Sequence, residues 1–177
     1  MISIFKILIA MTLLNMPLFA HCQIPCGIYS DAMQIIQIRE DLNTIEKAME
    51  MISSLSGKSD PQTLNQIGRW ITAKEQHAQN IQNLTSEYFL TQRIKTNSES
   101  YTEKVVLLHK LLVSTMKCKQ SVDKNNVSIS NSILNSFIKL YFDKHGMDHL
   151  NKLKKKILES FLKKIRNFLY RQKKKSL

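Results

Sequence analysis

Glycine and proline are scarce in this sequence, at 4 and 3 of 177 residues. Tight β-turns depend largely on these two residues, so the composition argues against a fold built from hairpins. Leu, Ile, Lys, Glu, Gln and Met, which favour helices or tolerate them well, are by contrast plentiful. The composition therefore predicts an all-α protein.

Common catalytic signatures are also missing. The sequence has no glycine-rich phosphate loop, no His-Glu-x-x-His and no Gly-x-Ser-x-Gly. It has no Cys-x-x-Cys either, which disfavours a thiol oxidoreductase of the thioredoxin type. His109, His145 and His149 stand singly on helical segments, where a histidine is usually a packing or surface residue.

The net charge of +12 lies almost entirely at one end of the chain. Residues 149–177 hold eleven Lys or Arg and one Glu, so this segment carries +10 and residues 1–148 carry only +2. A nearly neutral body has neither the basic face nor the reading motif of a nucleic-acid-binding protein. We therefore expect no nucleic-acid partner.

The first twenty residues resemble a removable leader. The apolar run from Ile7 to Ala20 has 14 residues, fewer than the roughly 20 that span a bilayer. It ends in a small-residue cleavage site after Ala20, so we expect residues 1–20 to be a signal peptide and the protein to be periplasmic or extracellular. Leu18 is large for its position, so a dedicated leader protease and a cytoplasmic location are the alternative.

Cleavage there makes His21 the first residue of His21-Cys22-Gln23-Ile24-Pro25-Cys26-Gly27-Ile28-Tyr29. An α-amine, an imidazole, a backbone amide and two thiolates then lie within six residues. Nitrogen donors in a tetragonal arrangement favour Cu(II) or Ni(II), and thiolates stabilise an oxidised, redox-active ion. Zinc would usually take four side-chain ligands. His21, Cys22 and Cys26 are therefore candidate metal ligands.

The pattern His-Cys-x-x-Pro-Cys-Gly-x-Tyr after a leader resembles the nickel hook of nickel superoxide dismutases. The resemblance extends more loosely to about residue 120, and the last thirty residues have no counterpart. It implies a nickel ion in each chain, which cycles between Ni(II) and Ni(III) while superoxide becomes oxygen and hydrogen peroxide. The implied ligands are the His21 amine, the Cys22 backbone nitrogen and the Cys22 and Cys26 thiolates in a square plane, with the His21 imidazole axial after oxidation.

The same resemblance implies roles for residues near the metal. Pro25 and Gly27 would shape the turn of the hook, and Tyr29 would stand over the open face of the metal. Tyr88, within Ser86-Glu87-Tyr88-Phe89, would be a second tyrosine near the hook. The family's helical bundles assemble as hexamers, which implies a homohexamer here.

Two further positions depart from the best-studied bacterial branch of that family. An acidic residue and an arginine there hold the axial imidazole, whereas this chain has Gln37 and His77 at the matching places. Both side chains can form hydrogen bonds, but they provide no fixed charge pair. His77 ends a polar run, Lys74-Glu75-Gln76-His77, halfway along an otherwise apolar helical pattern, which marks either a site or a solvated turn.

Apolar residues recur at helical spacing in four segments of residues 30–146, which predicts an up-and-down four-helix bundle. The predicted helix starts are Ser30 before Asp31, Asp60 before Pro61, and a capping box of Ser100 and Glu103. Gly57 and Gly146 are the predicted ends of the first and fourth helices. The first helix is predicted to bury Ile35, Ile38, Leu42, Ile45, Met49 and Ile52.

Residues 147–177 form a predicted basic amphipathic helix, with Leu150, Leu153, Ile157, Phe161, Ile165 and Phe168 on one side. Such helices bind anionic membrane surfaces or acidic partners. Alternatively, the apolar side packs on the bundle or on a neighbouring subunit, and the lysines are simply solvated. The sequence leaves these alternatives open.

A second class of function also remains open at this point. Cys22 and Cys26 are close enough in sequence to form a disulfide, and the chain would then be a non-enzymatic helical protein that binds a membrane surface or a partner. The third cysteine, Cys118, is expected to be a buried or idle thiol, with pairing to another chain as the alternative.

Overall fold

The computed structural model describes residues 30–175, and every regular element in that range is helical. The helices are α1 (Asp31–Leu55), α2 (Pro61–Asn83), α3 (Tyr101–Gln120), α4 (Asn125–Tyr141) and α5 (Lys144–Lys175). A π-helical segment, Leu84–Arg93, continues α2. The predicted all-α class is confirmed, and no helix within residues 30–175 is both long and apolar enough to cross a lipid bilayer.

The bundle is built by pairs of neighbouring helices. α1 packs along α2, α3 packs along α4, and α2 joins the two pairs by packing on α3. Five of the six apolar residues predicted to be buried along α1 have no exposed surface, namely Ile35, Ile38, Leu42, Ile45 and Met49. Burying one such side chain contributes about 1.5–3 kcal/mol, so this stripe is a main source of the bundle's stability.

Two of the predicted helix boundaries are confirmed. The Asp60 carboxylate accepts a hydrogen bond from the Thr63 backbone N–H at 3.0 Å, and Pro61 occupies the first turn of α2. α1 ends at Leu55, and Gly57 adopts a φ of +86°. Glycine reaches that left-handed conformation without the steric cost that a Cβ imposes, which explains its place after the helix.

The predicted capping box at the start of α3 is wrong. Ser100 has a φ of 52° and a ψ of 37°, which is left-handed backbone, and its side chain caps no backbone N–H in the described chain. A serine cap requires extended backbone for its hydroxyl to reach the second or third amide of the helix. Ser100 contributes its carbonyl instead, which accepts the Lys104 backbone N–H at 3.0 Å.

The prediction that Gly146 ends the fourth helix is also wrong. α4 ends at Tyr141, and Gly146 lies in the first turn of α5, which begins three residues earlier than the predicted Met147. The Gly146 backbone N–H donates to the Asp143 carboxylate at 2.7 Å. A Cβ at Gly146 would come within 2.6 Å of Cδ1 of Phe142, so the absence of a side chain lets the start of α5 approach the end of α4.

Among the side chains that the structure describes, those of α5 pack on the bundle only along its first turns. Leu150 is fully buried, and Met147 and Leu153 contact the core. The apolar side chains beyond them are 37–60% exposed, and they are Ile157, Leu158, Phe161, Leu162, Ile165, Phe168 and Leu169. Of the predicted alternatives for this helix, packing along the chain's own bundle is therefore excluded for residues 157–169.

Candidate metal centre

The predicted metal ligands precede the described part of the chain. His21, Cys22 and Cys26, together with Pro25, Gly27 and Tyr29, all lie outside residues 30–175. Within the described range no three His, Cys, Asp or Glu side chains are grouped so that they could hold a metal. Ser30 follows Tyr29 directly and precedes α1, so the structure describes the support into which the hook leads.

Asp31, in the first turn of α1, contacts three side chains from two other segments. The Tyr88 hydroxyl donates to Oδ1 of Asp31, and the Tyr141 hydroxyl donates to Oδ2 at 2.7 Å. Nε of Arg93 lies 2.7 Å from the same Oδ1, and its Nη2 donates to the Tyr88 hydroxyl oxygen at 2.8 Å. We call these four residues the Asp31 cluster. It ties the start of α1 to the π-helical segment and to α4.

Both tyrosines of the Asp31 cluster hold their protons firmly. Burial, reinforced by the hydrogen bond to Asp31, raises the pKa of Tyr88 to about 12, although Arg93 acts in the opposite direction. Burial likewise raises the pKa of Tyr141 above its ordinary value. Each phenol is therefore a hydrogen-bond donor at neutral pH, and each donates to a carboxylate that can only accept.

The π-helical segment explains how Arg93 reaches Tyr88. In this helix type the hydrogen bonds join residues five apart, so the side chains of residues 88 and 93 come to the same side. The Arg93 guanidinium lies 4.9 Å from the centre of the Tyr88 ring, in cation–π geometry. The helical spacing of apolar residues gave no indication of this change in helix type.

A second polar group joins α1 to α2. Nδ1 of His77 donates to Oδ1 of Asp41 at 2.6 Å, and Nε2 of Gln37 donates to the same oxygen at 3.3 Å. Asp41 is fully buried, and its Oδ2 has no hydrogen-bond partner in the described chain. We call these three residues the His77 cluster. The structure thus brings the two predicted residues Gln37 and His77 together around a carboxylate.

Asp41 was not among the predicted site residues. In the sequence, Asp41 is recognisable as an acidic residue that stands next to Leu42 of the buried stripe and four residues after Gln37. An aspartate at such a position needs a donor from a neighbouring helix. His77 is that donor, so this part of the chain has an acid–imidazole pair where the sequence suggested only neutral hydrogen bonds.

Lys74, at the other end of the predicted polar run, has a structural role. It is 3% exposed, and its ammonium donates to the backbone carbonyls of Cys118 at 2.9 Å and of Lys119. These carbonyls belong to the last turn of α3, where unpaired acceptors concentrate and a positive charge is favourable. The ammonium also donates to Glu75 at 2.9 Å. The polar run therefore combines a helix cap with the His77 cluster.

A cavity of about 450 Å³ opens beside the Asp31 cluster. It is lined by residues at the start of α1, at the end of the π-helical segment and around the start of α5, including Ser30, Asp31, Arg93, His145 and His149. Ser30 precedes α1 as predicted, but its side chain makes no cap bond to the described chain, and its Oγ lies 3.2 Å from Nε2 of His149 instead. The residue that follows the hook thus borders this cavity.

A protein-family model for nickel-containing superoxide dismutases matches residues 17–145. The matched range covers more than two thirds of the chain, including the hook, the Asp31 cluster and the His77 cluster, and it ends at the start of α5. Neither a curated protein nor a solved structure matches the chain. From the extent of the family match, the chain belongs to the nickel-containing superoxide dismutase family and is an oxidoreductase that uses nickel to dismutate superoxide.

Proposed function

We propose that the nickel ion is held by the α-amine of His21, the backbone nitrogen of Cys22 and the thiolates of Cys22 and Cys26. The donor chemistry carries this proposal, because two thiolates and a freed amine are the soft and nitrogen ligands that stabilise an oxidised nickel ion. When bound there, nickel would supply one-electron exchange between Ni(II) and Ni(III), by which one superoxide is oxidised to oxygen and another, with two protons, is reduced to hydrogen peroxide.

Chain connectivity supports a location of the hook beside the Asp31 cluster. Cys26 precedes Ser30 by four residues, so their Cα atoms are at most about 14 Å apart. The side chain of Arg93 borders the neighbouring cavity and is 28% exposed. A partly exposed guanidinium attracts a small anion, so we assign Arg93 the role of drawing superoxide toward this end of the bundle.

The two tyrosines receive different roles in this proposal. Tyr29 would admit a small anion to the bound metal and donate a hydrogen bond to that anion. Tyr88 is 2% exposed and already donates its hydroxyl to Asp31, so its contribution is to position the start of α1, from which the hook extends.

The His77 cluster is proposed to orient the imidazole of His21. Nδ1 of His77 is engaged with Asp41, whereas its Nε2 has no hydrogen-bond partner within residues 30–175. Gln37 lies seven residues beyond Ser30, which places it about 10 Å along the axis of α1 from the residue that follows the hook. Asp41 supplies the negative charge that Gln37 lacks. Its hydrogen bond with Nδ1 of His77 also fixes the tautomer of that ring, so that Nε2 can accept a hydrogen bond from the His21 imidazole.

We also propose that residues 1–20 are removed during export to the periplasm or the cell exterior, and that the mature chains assemble as a homohexamer. The hook supports removal of the leader, because the implied site requires a free amine at His21. The homohexamer is what the resemblance to the family implies. Processing by a dedicated protease in the cytoplasm is the competing route. The non-enzymatic alternative is not supported, because the family is enzymatic.

Retention of a single leader residue provides the test. A chain that keeps Ala20 is expected to lose superoxide dismutase activity by about a hundredfold or more, because an amide at His21 no longer offers an amine to the metal. Superoxide decay is measured by stopped-flow absorbance with nickel-loaded chains that begin at Ala20 or at His21. One alanine added after Leu177 is the matched control and should leave the rate unchanged. Equal rates for the two N-termini would refute ligation by the amine.

A further inference from the structure

The exposed apolar face of α5 lies beyond the residues that match the family. Phe161, Ile165 and Phe168 follow one another at spacings of four and three residues, which places them on one stripe of the helix. Leu158 and Leu162 widen the stripe. We call these five residues the free apolar face. They are 40–60% exposed, so the bundle leaves this surface uncovered.

The rest of the same helix is strongly basic. Residues 149–177 contain eleven Lys or Arg and one Glu. Lys163 lies on the side opposite the free apolar face, and Lys164 and Arg166 flank the face on its two sides, as the helical spacing requires. These three basic residues lie within residues 157–169, and the other eight lie before and after that segment. A partner for this helix must therefore cover apolar side chains and neutralise positive charge along the helix.

A second copy of the helix meets only the first of these requirements. It would bring two like-charged segments together, and the free apolar face spans only about two heptads, whereas stable coiled coils sustain three or four. A lipid surface with anionic head groups meets both, since the apolar side chains enter the acyl boundary while lysine and arginine remain among the phosphates.

We propose that residues 157–169 of α5 dock flat on a membrane surface rich in anionic lipids. The free apolar face is buried at the boundary between head groups and acyl chains, and the basic side chains contact the head groups. The first turns of α5 border the same cavity as Ser30 and Asp31, so docking holds the proposed metal centre close to the membrane. This inference does not depend on which residues bind nickel.

Vesicle binding by the full mature protein tests the proposal. At about 0.1 M salt the protein is expected to co-sediment with vesicles of phosphatidylcholine and phosphatidylglycerol, but not with vesicles of phosphatidylcholine alone. The double variant Phe161→Gln, Phe168→Gln is expected to lower the partition coefficient by about tenfold or more. The double variant Leu64→Gln, Val106→Gln is the control, because these side chains are similarly exposed, at 54% and 44%, on α2 and α3.

Three results would overturn the proposal. The first is equal binding to both kinds of vesicle. The second is unchanged binding by the Phe161 and Phe168 variant, because the apolar side chains then remain outside the bilayer. The third is a change in the oligomeric state of the lipid-free protein in that variant, measured by light scattering, because a second copy then covers the face. Since both phenylalanines are exposed, unfolding of the variant is not expected, and circular dichroism checks this.

Discussion

Replacement of Cys22 by serine is expected to abolish both nickel binding and superoxide turnover, and replacement of Cys26 by serine is expected to do the same. A serine hydroxyl remains protonated at neutral pH and is a hard ligand, so it neither holds nickel nor stabilises its oxidised form. Nickel content measured by inductively coupled plasma mass spectrometry should fall from a single ion per chain to background. Stopped-flow superoxide decay should fall to the uncatalysed rate.

Cys118 provides the matched control for this experiment. Its side chain is fully buried in the bundle, with Sγ 4.0 Å from Oγ of Ser130. Burial raises the pKa of the Cys118 thiol, which keeps it protonated and makes it a poor metal ligand. The Cys118→Ala variant should therefore retain nickel and turnover. Nickel retained at the wild-type level in the Cys22 and Cys26 variants would contradict the proposed ligand set.

Replacement of Asp31 by alanine is expected to lower the free energy of unfolding by about 2–4 kcal/mol. The change removes the acceptor for the Tyr88 and Tyr141 hydroxyls and the ion pair with Arg93. It leaves the hydroxyls of the buried Tyr88 and the half-buried Tyr141 without that partner. Urea unfolding followed by circular dichroism measures the effect. Asp148→Ala is the control, because Asp148 is exposed and makes no ion pair in the described chain, so its effect should stay within about 0.5 kcal/mol.

The Asp31 cluster makes the stability of the folded protein fall as the pH rises in the alkaline range. The pKa of Tyr88 is raised from 10.0 to about 12 in the folded protein, so the unfolded chain releases this proton at a lower pH than the folded chain does. The stability that protonated Tyr88 contributes to the folded protein is fully present below pH 10 and is lost as the pH rises toward 12. The Tyr88→Phe variant should show a shallower decline of the urea midpoint over this range. An identical decline would indicate that Tyr88 does not hold its proton in the folded state.

Much of the bundle could be predicted from local patterns. The alternating spacing of apolar residues along α1 identified side chains that are buried, because a stripe of that kind has no other way to leave water. Asp60 and Pro61 identified the start of α2, because the cap and the fixed proline φ act within one turn. Likewise, the metal ligands were proposed from a short stretch, because their chemistry depends on residue types close together in sequence.

Features that depend on contacts between helices could not be predicted. The pairing of His77 with Asp41 joins residues 36 apart, and no pattern within either helix indicates it. The π-helical segment brings Arg93 over Tyr88 through a change of hydrogen-bond register, which the spacing of apolar residues does not reveal. For α5 the amphipathic pattern is the same whether its apolar side is covered or not, so only the packing of its first turns revealed an uncovered face.

Native mass spectrometry of the protein from its own host tests the central claim most directly. We expect a mass that corresponds to the chain from His21 onward with a single bound nickel ion. We also expect that ion to be lost when acid protonates its ligands. A mature chain that keeps Ala20 or any earlier residue, or a chain trimmed to His21 that carries no nickel, would contradict this claim.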